Sequence, residues 1–359
     1  MERVEVLRQW YKNNKTDKKS ARIEDLMSKD LTICHNPIKK GKINHTLFDE
    51  IGVMNYNDVF DTKELDKPLN RKNISRKEFI IKYIDLFRQS IYENWDPSKM
   101  HIILHSSGFD SRILSGILLR LYNELGDSWM GKSVLLCYTP EEDYAERVIN
   151  YYNVDIDFYK YNVAEKQEWT DFKNGWKCAN GASLYPQNRV YLSTEYLRNI
   201  YNFKECQIFS AGYHNEIFDK GYFNKNISIK KFLQSYYIHH YSLFTSAVNG
   251  DIIYPILNPK ILRLIAESGV TLNKKLRLDI LKSIDSKLYS FPRMPDKEAR
   301  LSKNIDEELR KKIYNDYKNS LYFKKFKKLD INPPSVIAYN KFWYYWSSAS
   351  CYEKLFGEL

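Results

Sequence analysis

The stretch Leu104-His105-Ser106-Ser107-Gly108-Phe109-Asp110-Ser111-Arg112 concentrates residue types that handle phosphate. Small residues at 106–108 permit a tight turn. A helix starting just after them would point its free N–H groups, and the positive end of its dipole, into the loop. The Ser106 and Ser111 hydroxyls add donors. Asp110 is out of place beside a phosphate unless a divalent cation lies between them, and magnesium, which takes carboxylate and phosphate oxygens together, reconciles the two. The same residues also suit a Ser/Asp-capped helix start with no ligand at all. The five cysteines, Cys34, Cys137, Cys178, Cys206 and Cys351, are odd in number and include no Cys-X-X-Cys pair. Neither a disulfide framework nor a zinc knuckle is expected, and each reads as a reduced, buried thiol.

Such a loop needs a strand before it and a helix after it. Residues 100–105 form a short apolar run, and 111–124 read as a helix. Strands are predicted at 134–138, 155–161 and 207–211, with helices at 144–152 and 189–201 between them. Upstream, Ser75-Arg76-Lys77-Glu78 reads as a capping box. Phe79, Ile80, Tyr83, Ile84, Phe87, Ile91 and Tyr92 then recur at helical spacing as far as Trp95, and Pro97 ends the helix. This alternation predicts an α/β fold, a doubly wound parallel sheet with right-handed crossovers whose ligands bind beyond the carboxyl ends of the strands. From about residue 222 strand signals nearly vanish, and a mainly helical C-terminal region is expected. Residues 1–74 show no definite pattern.

The chain has 359 residues, 43% hydrophobic and 15% aromatic, with only 13 Gly and 11 Pro against 29 Tyr, which excludes a disordered or collagen-like protein. No run approaches the ~18 apolar residues of a spanning helix, and Met1-Glu2-Arg3-Val4-Glu5 is charged where a signal peptide is apolar. A cytoplasmic protein without a membrane partner is expected. Of the 56 basic and 45 acidic residues, 24 and 13 fall in 221–359, so the net charge of +11 is C-terminal. It is densest from Lys297 to Lys328, where Lys311-Lys312, Lys324-Lys325 and Lys327-Lys328 alternate with Tyr314, Tyr317, Tyr322, Phe323 and Phe326. That pattern suits either nucleic-acid binding or a solvated helix face over a buried aromatic stripe.

Residues 106–111 resemble the Ser-Gly-Gly-X-Asp-Ser pyrophosphate loop of the N-type ATP pyrophosphatases, the PP-loop superfamily, with Ser107 replacing the first Gly. Within it, several segments appear in the order of the asparagine synthetase family's synthetase domain. Glu142-Asp143-Tyr144-Ala145-Glu146 looks like its Asp-Glu-X-X-Tyr-Ala helix start. Gly212-Tyr213-His214-Asn215-Glu216-Ile217-Phe218-Asp219-Lys220-Gly221-Tyr222 aligns without gaps on its Gly-Glu-Gly-Ala-Asp-Glu-Leu-Phe-Gly-Gly-Tyr. Tyr254-Pro255-Ile256-Leu257-Asn258 resembles its Pro-Phe-Leu-Asp, and Lys274-Lys275-Leu276-Arg277 its Lys-X-X-Leu-Arg. The likeness spans roughly residues 75–295, leaving 1–74 as a separate N-terminal region and 296–359 as a basic, aromatic-rich helical one.

The resemblance implies a sheet of the adenine nucleotide alpha hydrolase-like type and an adenylating amide ligase that uses ATP and Mg2+. Ser106, Ser107, Gly108, Asp110 and Ser111 would hold pyrophosphate, and adenine would pack near Leu104, Cys137 and Gly212. Asp110 and Glu216 would hold magnesium; a shift of one residue would offer Asn215 instead. Tyr213 falls where asparagine synthetases carry Glu and β-lactam synthetases carry Tyr, so a phenol that deprotonates an amine is as compatible as asparagine synthesis. Lys297, with Arg293 behind it, is the candidate for the cation that stabilises the reaction intermediate. Glutamine-dependent members carry a nucleophilic Cys at position 2, where this sequence has Glu2. Nitrogen is therefore expected from ammonia, an amine substrate or a separate amidotransferase subunit, and the carboxylate from a small molecule or peptide. Two alternatives remain: a PP-loop enzyme that adenylates a nucleic-acid base, or a degenerate nucleotide-binding protein.

Overall fold

The computed structural model describes residues 3–6, 10–21, 23–28, 30–32, 48–54, 56–162, 185–219, 228–233, 250–295 and 307–326, with 349 and 353. The N-terminal region holds a small antiparallel sheet of β1 (Tyr11–Asn13), β2 (Lys19–Ser20) and β3 (Ile51–Val53), ordered β2-β1-β3. Strands of two or three residues are too short to leave a periodic signal. Helix α1 (Arg76–Asn94) starts at the expected cap, where the Ser75 hydroxyl accepts from the Glu78 backbone N–H at 3.1 Å. The Glu78 carboxylate does not close the capping box and instead takes Lys82 Nζ at 2.6 Å. Phe79, Tyr83, Phe87 and Ile91 form the buried stripe of this helix.

The central sheet then builds as β4 (Met100–Leu104), α2 (Phe109–Leu125), β5 (Ser133–Tyr138), α3 (Glu142–Tyr152), β6 (Asp157–Tyr161), α4 (Tyr185–Ile200), β7 (Cys206–Phe209) and β8 (Gly250–Ile253). All five strands are parallel, in the order β6-β5-β4-β7-β8. The α/β class and the parallel sheet are as expected. Numbered along the sheet's own strands the order is 3-2-1-4-5, so the chain reverses its direction of growth between β4 and β7. With right-handed crossovers, α2 and α3 lie on one face and α4 on the other, leaving a crevice at that switch point between the loops after β4 and β7.

Strand β8 is one strand inside the mainly helical region expected after 222. Its four residues, Gly250-Asp251-Ile252-Ile253, are too few for a period to show. It is the sheet's edge, and the N-terminal segment covers it: Val6 bridges Ile253 in antiparallel register, and Tyr254 N–H donates to Glu5 O at 2.9 Å. An exposed strand edge is thereby closed. Beyond it lie α5 (Pro259–Glu267), α6 (Lys274–Ile284), α7 (Ser286–Ser290), α8 (Glu307–Asn319) and α9 (Leu321–Phe326), so the C-terminal region is otherwise helical where described. In α8 and α9, Tyr317 and Tyr322 are buried, Tyr314 and Phe323 are half-buried, and Lys318 Nζ sits 4.4 Å from the Phe323 ring centroid. Among the described residues no helix is long and apolar enough to cross a membrane.

Helices α6 and α7 pack on α2 through a glycine. A Cβ on Gly116 would lie 2.5 Å from Leu288 Cδ1 and 3.2 Å from Ile284 Cγ2, both buried. Gly116→Val should therefore cost about 1–3 kcal/mol through overpacking. A urea midpoint equal to that of the unmodified protein would show that this contact yields freely.

Candidate phosphate-binding site

The loop after β4 opens at the switch point, and α2 begins at Phe109, two residues earlier than expected. Asp110 and Ser111 therefore sit in its first turn. Its N-cap is Gly108, which offers no side chain to the first N–H groups, so the helix is not the Ser/Asp-capped start that the sequence also allowed. The Ser106 and Ser111 hydroxyls lie 2.8 Å apart, Ser106 Oγ accepts from Gly108 N–H at 3.2 Å, and Ser111 Oγ lies 3.0 Å from the carbonyl oxygens of Ser106 and Gly108. A Cβ at Gly108 would come within 3.3 Å of Ser106 Oγ, so a side chain there would press on that hydroxyl. The result is a folded loop whose serine hydroxyls converge on an uncapped helix N-terminus, the arrangement that binds anions.

Ser107, where the pyrophosphate loops carry Gly, is fully used. Its N–H and hydroxyl both donate to Glu141 Oε2, at 3.1 and 2.8 Å, and its Oγ accepts from Met294 N–H at 3.2 Å. Arg112 is completely buried. Its Nη1 donates to Leu288 O and Phe291 O at 2.9 and 2.8 Å, and its Nη2 to Ser107 O and Pro292 O, both at 2.7 Å.

Across the crevice, the chain after β7 forms a single π turn, Asn215–Asp219. Such single turns are frequent at functional sites. The turn is anchored by His214, whose Nδ1 lies 2.9 Å from Ala211 O and whose Nε2 lies 2.8 Å from Tyr83 Oη. Burial pushes the His214 imidazole down to about 4, so it is neutral. Nδ1–H then donates to the carbonyl, and Nε2 accepts from the phenol.

Arg277 on α6 joins the two sides, with Nη1 2.8 Å from Asp110 Oδ1 and Nη2 2.6 Å from Asp219 Oδ2. Burial pushes the Asp110 carboxyl up to about 6 against the opposing pull of Arg277, and the charge of Glu216 adds to the rise. The Asn215 backbone N–H donates to the same carboxylate. Asp219 is likewise raised, first by burial, with Arg277 pulling it back. Thus the charge of Glu216 is felt at Asp110, Asn215 contributes its backbone, and Asp219 shares Arg277 with Asp110.

Leu104 ends β4, and Cys137 is buried near the end of β5, where desolvation pushes its thiol up. Gly212 has a reason of its own: a Cβ would lie 2.9 Å from Tyr254 Cε1. Tyr213 is 1% exposed and meets Tyr254 edge-on at 5.0 Å. Its φ of +77° puts a bulky residue in the left-handed region, which costs on the order of 1–3 kcal/mol and is found chiefly at functional sites. The Arg293 guanidinium lies 5.5 Å from the Phe109 ring centroid at the loop's mouth. Lys297 lies outside the described residues. Sequence reasoning missed Arg112, Glu141 and Asp219, and passed over Arg277 although it closes a segment singled out.

Magnesium is bound through one or two carboxylates together with phosphate oxygens and water. The hard oxygen donors Asp110 and Glu216 fit that need. Arg277 already supplies the compensating charge on one side of Asp110, and among the described residues no group of three His, Cys, Asp or Glu forms an all-protein metal cage. A cation would be held here only together with a bound phosphate.

No family model and no curated protein matches this chain. Among solved structures it is similar to the U34-tRNA thiolase NcsA from Methanococcus maripaludis with its [4Fe-4S] cluster, over 66% of this chain and 82% of that one, at 11% identity and a TM-score of 0.30. So faint a likeness transfers neither substrate nor cluster.

Proposed function

We propose that this chain is an ATP-dependent, AMP- and pyrophosphate-forming amide ligase. The observation that carries the reading is the uncapped α2 N-terminus beneath the Ser106–Ser111 loop, with Asp110 in its first turn near enough to Glu216 to be raised by its charge. The loop residues hold the β- and γ-phosphates. A substrate carboxylate oxygen attacks the α-phosphorus, the bond to the bridging oxygen breaks, and pyrophosphate is left on the loop. Ammonia or an amine then attacks the acyl carbon, AMP departs with the carboxylate oxygen, and the nitrogen loses a proton. Magnesium, when held by Asp110 and Glu216, supplies positive charge against the departing pyrophosphate. Arg277 fixes Asp110 in place. Leu104, Cys137 and Gly212 line the strand ends where adenine packs, and Lys297 or Arg293 supplies the cation for the intermediate.

ATP–pyrophosphate exchange with a panel of carboxylates tests this. Exchange that needs a carboxylate supports the ligase, whereas exchange that needs RNA instead supports base modification. The strained backbone of Tyr213 supports a role for this residue in the second step, in which its phenolate accepts the amine proton and becomes the phenol. General-base contributions are about 10²–10⁴-fold. Tyr213→Phe should leave exchange within threefold and lower amide formation by about a hundredfold. Equal losses in both steps would show that the ring serves packing alone.

A further inference from the structure

Arg112 is a buried cation whose described partners are four backbone carbonyls and no carboxylate, and its Nε–H meets no acceptor. Burying a charge this way is costly, and carbonyl dipoles offset it only in part. Its guanidinium is pulled down to about 10, first by burial and then by the like charge of Arg293. Three of the four carbonyls come from 288–292, the stretch that leads to Arg293, and the fourth comes from the phosphate loop itself. Ser107 makes a second joint between the same two pieces, taking Met294 N–H while its own N–H and hydroxyl hold Glu141 at the start of α3. Residues 292–295 have no regular secondary structure to hold them otherwise.

Resting on the ligase reading above, we propose that Arg112 and Ser107 are positioning residues that form a latch, which seats segment 288–294 on the phosphate loop and is tightened when the loop holds a polyanion. The direction of coupling follows from charge. Seating holds Arg293 close enough for its charge to be felt at Arg112, and an anion on the loop would lower the cost of holding the two guanidinium groups together. Pyrophosphate bound there tightens the seat, and an unseated segment weakens pyrophosphate binding. Glycine at 107 would keep the loop but lose the second joint, so this departure from the pyrophosphate-loop pattern is a working part of the latch. Lysine at 112 would keep a charge but could not reach four carbonyls in a fixed fork.

The test uses the full chain with inorganic pyrophosphate and magnesium, following binding by calorimetry and amide exchange at Met294 by hydrogen–deuterium exchange. Pyrophosphate should slow Met294 exchange at least tenfold in the unmodified chain. In Ser107→Gly, read at saturating pyrophosphate, that slowing should fall below threefold whatever the change in affinity. In Arg112→Lys, if it folds, both binding and slowing should drop at least tenfold; Ser107→Gly decides the matter should that variant not fold. Binding without any slowing at Met294 in the unmodified chain overturns the latch and leaves the ligase reading intact. Failure of pyrophosphate to bind overturns the ligase reading itself.

Discussion

Asp110→Asn should lower ATP–pyrophosphate exchange by about a thousandfold while the protein stays folded. The loss follows from charge: one of the two carboxylates that would hold magnesium against pyrophosphate becomes neutral, and removing one such electrostatic group typically costs about 10²–10³-fold. The fold should survive because asparagine keeps the volume and can still accept from Arg277 Nη1, which lies 2.8 Å from Asp110 Oδ1. Removing the charge also removes the burial cost that pushes this carboxyl up to about 6. The thermal midpoint should move by no more than about 5 °C, the equivalent of roughly 1–2 kcal/mol in a domain of this size. Exchange at the unmodified rate in a folded Asp110→Asn protein would remove Asp110 from the site.

Arg277→Met should have the largest effect on stability. Asp110 and Asp219 share this one guanidinium, and the charge of Asp110 raises the Asp219 carboxyl in addition to the effect of burial. Without it, two partly buried carboxylates face each other and Glu216. Breaking a buried ion pair by removing one partner costs about 3–5 kcal/mol. The loss should depend on pH in a definite direction. Both carboxyls are raised in the folded state, and the substitution raises them further, so the folded protein binds protons that the unfolded chain releases. Stability is therefore retained at low pH and lost as pH rises through the folded values, and the variant should lie closer to the unmodified protein at pH 5 than at pH 8. Urea midpoints at the two pH values measure this, and a deficit that grows toward pH 5 would contradict the triad.

Elements with several turns or a long apolar run are legible in the sequence. The Ser75 cap, the stripe of α1 and strands β4 and β5 announce themselves by period and by full burial. β8 and the small N-terminal sheet are not, because four residues or fewer carry no period, and their pairing with Val6 or with each other is set by contacts remote in sequence. At the site, the loop residues are legible because small residues and an acid between a strand and a helix are a local pattern. Arg112 and Arg277 are not, since a lone arginine on a helix usually points to solvent. What makes these two different is what they reach: carbonyls 176–180 residues away for Arg112, and carboxylates 58 and 167 residues away for Arg277. Ser107 looks like decay of a glycine motif, and only the positions of Glu141 and Met294 show its use.

Oxygen transfer is the most direct measure of carboxylate adenylation at the 106–111 loop. The carboxylate that best supports exchange should be labelled with 18O in both oxygens and turned over with ATP, magnesium and ammonia or an amine. AMP isolated from the mixture should carry one labelled oxygen on its phosphate, equal in amount to the amide formed, with the second label retained in the amide. Unlabelled AMP, or ADP and orthophosphate in its place, would contradict attack of the carboxylate on the α-phosphorus.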